Sequence, residues 1–168
     1  DSEAWLMGVQ SKAKLYMYNG VDNLSYVDLA ANTIHTYTSL PKPTISSVVK
    51  TGMTGSSFTH YYRVTANNEV GESIASVVGS VTSGKVRESW IENTDYNTIT
   101  WSAITGAVSY TVHYGDDPLN CFELYTVAGN GTTTFIDYGT LAVNTFKLAP
   151  EGNSTEGAVF IWMYCDAK

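Results

Sequence analysis

Residues 99–114, ITWSAITGAVSYTVHY, limit what this chain can become more than any other stretch. Ile99 and Trp101 alternate with Thr100 and Ser102, the two-residue period of a strand with one buried face. Thr105-Gly106-Ala107 supplies a turn, after which Tyr110, Val112 and Tyr114 resume the alternation. An indole buries on the order of 200 Å². In a chain of 168 residues, a sheet can provide that cover only by packing against a second sheet. The two runs are expected to form an antiparallel hairpin, half of a β-sandwich gripping Trp101.

Composition agrees with an all-β chain. Thr, Ser, Val and Tyr recur between 14 glycines, and aromatic character comes from 12 tyrosines more than from 5 phenylalanines. The net charge is −7, which repels phosphate backbones and anionic bilayers alike and leaves direct nucleic-acid recognition unexpected. No apolar run reaches the length of a membrane span. Residues 1–20 lack the order of a signal peptide, and Asp1 is not a start Met, so the chain reads as a piece of something longer or as a processed product. Cys121 and Cys165 show no metal or redox spacing, and nothing local demands that they pair.

Along the chain, residues 5–8, 14–18, 25–29 and 34–38 read as strands, with a hairpin at Asn19-Gly20, where both residues tolerate positive φ. The prolines of Leu40-Pro41-Lys42-Pro43 break the pattern. Strands are then expected at 45–49, 58–66, 76–82, 99–102, 110–114, 122–127, 133–136 and 158–164, with 67–71 a loop offering left-handed positions and 138–155 irregular. In 58–66, His60, Tyr62, Val64 and Ala66 share one face. The expected organisation is a hairpin segment over 1–40, a sandwich over 41–147 and a return strand within 148–168.

Tyr62-x-Val64-x-Ala66-x-Asn68-x-x-Gly71-x-Ser73 resembles the F strand and F–G turn of fibronectin type III modules. Ile99-x-Trp101 and Gly106 followed by Tyr110-x-Val112-x-Tyr114 resemble their B and C strands. The order is reversed relative to that immunoglobulin-like family. Either 44–137 is one sandwich with permuted strands, which is favoured, or two half-modules are joined. The resemblance gives Trp101, Tyr62, Val64, Ala66, Gly71, Tyr110 and Val112 as the residues that build the sandwich, with Tyr62 anchoring a strand corner. The whole arrangement is similar to tail nozzle proteins of short-tailed bacteriophages, of the tail tubular protein B type. Residues 14–20, KLYMYNG, resemble their hairpin repeats, 133–137 the exit of their inserted module, and Leu148-Ala149-Pro150 its return. That likeness implies an interrupted, propeller-like domain around the sandwich. It also implies a non-enzymatic role in the virion tail, with other tail and connector proteins as partners and a homo-oligomeric ring as the assembly.

Other chemistry is weakly written. Residues 79–86 nearly spell a phosphate-binding loop, but Val86 stands where a hydroxyl should ligate magnesium. His35, His60 and His113 are scattered, and no nucleophile elbow occurs. Asp116, Asp117 and Asp137 could ligate calcium, although Asp-Asp-Pro is ordinary turn chemistry. No cofactor is expected. Three glycosylation triplets, at Asn23, Asn130 and Asn153, occur at a frequency chance allows. Trp90, Tyr96 and Tyr125, with Tyr138, could instead form a sugar-stacking platform. This gives the alternative reading, a secreted extracellular module that binds carbohydrate or a cell surface.

Overall fold

The computed structural model describes residues 7–18 and 24–155. These residues form β1 (Met7–Ser11), β2 (Lys14–Tyr18), β3 (Ser25–Asp28), β4 (Thr33–Thr36), β5 (Ile45–Thr51), β6 (Phe58–Asn67), β7 (Gly79–Ser83), β8 (Tyr96–Trp101), β9 (Ser109–Gly115), β10 (Phe122–Ala128), β11 (Thr134–Asp137) and β12 (Asn144–Leu148). A 3-10 turn covers Arg87–Ser89, and the described residues contain no α-helix. The strands make three antiparallel sheets: a meander β1-β2-β3-β4, a five-stranded sheet β12-β10-β9-β6-β7 and a three-stranded sheet β11-β8-β5.

The last two sheets pack face to face in a sandwich-like all-β arrangement. Tyr62, Val64 and Ala66 of β6, Tyr110, Val112 and Tyr114 of β9, and Leu124 and Val127 of β10 meet Ile99 and Trp101 of β8 in one core, which Leu40 completes. The alternation along β6 places His60, Tyr62, Val64 and Ala66 inward, as its sequence requires. Trp101 is 3% exposed, and its ring meets Tyr110 edge-on at 5.5 Å.

The expected hairpin of residues 99–114 is corrected. β8 pairs with β5 and β11, whereas β9 pairs with β6 and β10, so the two runs lie in opposite sheets. Their alternation suits either arrangement, but apolar rows in opposed sheets point at one another, which buries Trp101 against Tyr110. Residues 102–108 give the chain room to arch across the core, where a tight hairpin turn would hold both strands in one sheet. Gly106 turns this arch with φ 88°, and a Cβ there would lie 3.2 Å from Leu40.

Four further expectations change. Residues 138–155 are not wholly irregular, because β12 lies within them; all five of its residues are exposed, so no buried alternation marks it. The strand expected from residue 76 becomes regular only at Gly79. Before it, Ser73 and Ser76 hydroxyls take the Ala66 and Val64 amides at 2.9 and 3.0 Å, where carbonyls would stand in a ladder. None of residues 67–71 is left-handed: among the described residues, those other than glycine with positive φ are Lys12, Asn32, Met53 and Asn93. Asn68 makes the turn through its side chain, accepting from the Val70 and Gly71 amides at 3.0 Å each. Gly71 is required by crowding rather than by φ, since a Cβ would collide with the Ser154 carbonyl oxygen.

In the meander, β2 and β3 pair from Lys14↔Asp28 to Met17↔Ser25. The Asn19-Gly20 turn, the strand at 158–164 and Cys165, with its question of pairing, lie outside the described residues. Tyr26 is held between the Lys14 ammonium, 4.2 Å from its ring centre, and the stacked His35 ring at 4.8 Å. The start and finish of the sandwich are fastened together. The Leu40 amide donates to Thr155 Oγ1 at 2.7 Å, and Asn153 Nδ2 donates to Ser39 Oγ and the Leu40 carbonyl at 2.9 and 2.8 Å.

Replacing Trp101 with Ala is expected to cost about 3–5 kcal/mol, as large core truncations do. Urea denaturation measures it, and a loss below about 1 kcal/mol would mean that the indole is not in the core.

Candidate functional site

The end of the sandwich where β6 begins and β9 finishes holds a continuous polar chain. Asp137, 0% exposed at the close of β11, receives Arg87 Nε and Nη2 at 2.9 and 2.8 Å. Tyr62 Oη donates to it at 2.9 Å and the Gly139 amide at 2.9 Å. Asn97 Nδ2 donates to Tyr62 Oη at 3.0 Å, and Arg87 Nη1 reaches the Leu141 carbonyl at 2.9 Å. The guanidinium also lies 4.9 Å from the centre of the Tyr114 ring. Tyr114 Oη donates to Asp116 and lies 3.0 Å from His60 Nδ1, and His60 Nε2 lies 2.8 Å from Ser83 Oγ.

Environment sets the protonation of these groups. Burial raises the Tyr62 hydroxyl well above its ordinary range, and the Asp137 charge adds to this. Burial also opposes the Arg87 charge, but its bonds to Asp137 more than compensate and hold the guanidinium protonated. Tyr114 is raised by burial and by Asp116. His60 is lowered by burial, despite the Lys85 carbonyl and the nearby carboxylates. Tyr62, Tyr114 and His60 are therefore neutral at pH 7, while Arg87 stays charged. The Ser83 hydroxyl donates to the Lys85 carbonyl at 2.8 Å, so its proton is directed away from His60.

Beside this chain open two clefts that share Glu88 and Asp116. One, of about 440 Å³, is walled by Phe58, His60, Tyr61 and Val86. The other, of about 360 Å³, is walled by Tyr114, Phe122 and Val143, with Asp117 near its mouth. A smaller cleft of about 230 Å³ lies between the meander and the sandwich, among Tyr26, His35, Tyr37, Glu69 and Val108. Tyr37 Oη donates to Glu69 at 3.2 Å across it.

The residues singled out from the sequence separate into groups. Trp101, Tyr62, Val64, Ala66, Tyr110 and Val112 share the core, and Gly71 lies outside it against Ser154. Trp90 packs against His60 at 5.0 Å, Tyr96 against Tyr138 at 5.3 Å and Tyr125 against Phe135 at 5.3 Å. No ring contact among the described residues links these three pairs into one platform. The proposed calcium ligands are engaged elsewhere: Asp137 by Arg87, Asp116 by Tyr114, and Asp117 by the Leu119 amide at 2.8 Å. The described residues contain no grouping of three or more His, Cys, Asp or Glu suited to a metal ion. Residues 79–86 form a strand and turn, with Gly84 pressed against Thr54. Sequence reasoning misses Arg87, although an arginine in a chain with only 15% charged residues is an available signal.

His113 lies on the outer face of the five-stranded sheet, 1% exposed, with Glu72 at 3.6 Å. Burial pushes it down to about 4, outweighing the pull of Glu123. Compared with known protein families, curated proteins and solved structures, the chain has no match.

Two outcomes are expected here. Arg87→Ala strands the Asp137 charge and should cost about 3–5 kcal/mol in urea denaturation; a loss under about 1 kcal/mol would contradict the buried pair. The second concerns pH. The unfolded chain protonates His113 near 6.5 whereas the fold resists until about 4, so its contribution is complete above pH 6.5 and falls as pH drops towards 4. The loss amounts to about 3 kcal/mol at the low end, and His60 acts in the same direction. His113→Gln should flatten the stability profile between pH 6.5 and 4; an unchanged slope would contradict this origin.

Proposed function

We propose that this chain is a structural, non-enzymatic part of a phage tail in its nozzle region, working through protein–protein contacts in a ring of like subunits. The observation that carries the reading is the fastening of Leu40 to Thr155 and of Ser39 to Asn153, which brings the two ends of the sandwich together at the meander. A module whose ends leave side by side can be set into another domain without parting it. That fits residues 1–40 as part of an interrupted, propeller-like domain and residues 41–147 as its inserted module, with residues 148–155 still packed on the module before the return.

Strand neighbours support a fibronectin type III-like identity for that module. The strand carrying Tyr110-x-Val112-x-Tyr114 lies beside the one carrying Tyr62-x-Val64-x-Ala66, which lies beside β7, while Ile99-x-Trp101 sits in the opposite sheet. These are the places of strands C, F, G and B in such sandwiches, met in the permuted order F, G, B, C along the chain. The acidic surface keeps the free subunit soluble until assembly covers its contacts.

The test is mass spectrometry of purified particles, with gold-labelled antibody against residues 41–147. The chain should copurify with tails and the label should fall on the tail. Its presence in the lysate medium and absence from particles would overturn the reading.

A further inference from the structure

We propose that a second copy of this chain docks at the β12 edge, with Phe146 of each copy entering the cleft beside β12 of the other. The proposal does not depend on the tail reading. All of β12 is exposed, and Phe146 is 99% exposed, an aromatic ring standing wholly in solvent. The ladder to β10 shifts register between Phe122↔Leu148 and Glu123↔Asn144, so residues 145–147 bulge away from the sheet. A bulge that carries Lys147 discourages plain edge-to-edge strand pairing. A partner must therefore be met through side chains.

The cleft beside it fits what the bulge presents. Its walls are Tyr114, Phe122 and Val143, and Glu88, Asp116 and Asp117 lie around it, in a space of about 360 Å³. Thr145 contributes to the same wall, one residue before Phe146, so knob and hollow lie next to one another on the β12 edge. An apolar ring followed by a cation thus faces an apolar hollow bordered by carboxylates. Lys147 pairs with Glu123 of its own chain yet keeps 56% of its side chain exposed, within reach of a second acidic surface. A surface carrying both halves of a complementary contact is suited to a two-fold pair, in which each copy gives and receives a ring.

Sedimentation velocity of the full 168-residue chain, from about 1 µM to about 1 mM, tests the proposal. A monomer–dimer equilibrium should appear that weakens with added salt. Phe146→Ala should weaken it by about tenfold or more, as loss of a central aromatic anchor does. Circular dichroism should show the fold unchanged, because the ring touches no core. Lys147→Glu should also weaken the dimer, and adding Glu88→Lys in the same chain should restore part of it. A chain that stays monomeric throughout, as it would if Phe146 serves a different partner, overturns the proposal. So does a dimer indifferent to Phe146→Ala.

Discussion

A carboxylate with no exposed surface sits between the two sheets, and much of the sandwich is arranged to keep it there. Asp137 is buried and paired with Arg87, so it needs a full set of donors where water is excluded. Those donors come from four places: β6 through Tyr62, the Arg87–Ser89 turn through its arginine, the Gly139 amide, and β8 indirectly through Asn97. The Tyr62–Asp137 bond joins one sheet to the other. The bidentate Arg87 bond adds a non-strand segment to the same anchor. Hydrophobic packing around Trp101 drives the sheets together, but it is non-directional. The carboxylate supplies direction, because only one placement of Tyr62, Arg87 and Asn97 satisfies it.

The strands were readable in the sequence where burial alternates and unreadable where it does not. Phe58–Asn67 has a clear period because one side faces the core, and its inward residues follow from the pattern. Asn144–Leu148 has none, since every residue is exposed, and its sequence reads as irregular. Pairing was harder than existence. Alternation fixes which side chains point together but not whether the next strand joins the same sheet, and so an arch and a hairpin read alike. The candidate site was least legible. Tyr62 was identified as an anchor, but its partners are Asp137, 75 positions away, and Asn97, 35 positions away, separations that no local motif encodes.

The outer face of the five-stranded sheet shows a different use of polar residues. There Ala75, Cys121 and Ala149 form a small second core, with Tyr61 and Val78 packed against it. The Ala149 amide donates to the Cys121 carbonyl at 2.8 Å and the Ala75 amide to the Pro150 carbonyl at 2.9 Å. Burial raises the Cys121 thiol to about 11, leaving it an inert packing group at neutral pH. Arg63–Glu151 and Lys147–Glu123 ring this layer, and His113 and Thr111 lie beneath it. An outward face that would otherwise be wet is thus sealed, which is why His113 loses its charge.

These features give the module a direction. Leu40, Asn68, Gly106 and Thr155 gather where β6 finishes, and the meander joins there. Phe58, His60 and Asp116 gather where β6 begins, and the two larger clefts open there. Ten residues of strand separate the two ends, roughly 30 Å at the usual rise. Leu40 belongs to the main core while its amide donates to the Thr155 hydroxyl, so the sandwich is tied at its base by side-chain hydrogen bonds as well as by apolar packing. A body fixed in this way transmits its orientation along β6 and β9 to the far end. Contacts made at the two larger clefts would then lie at the end of the sandwich opposite the meander.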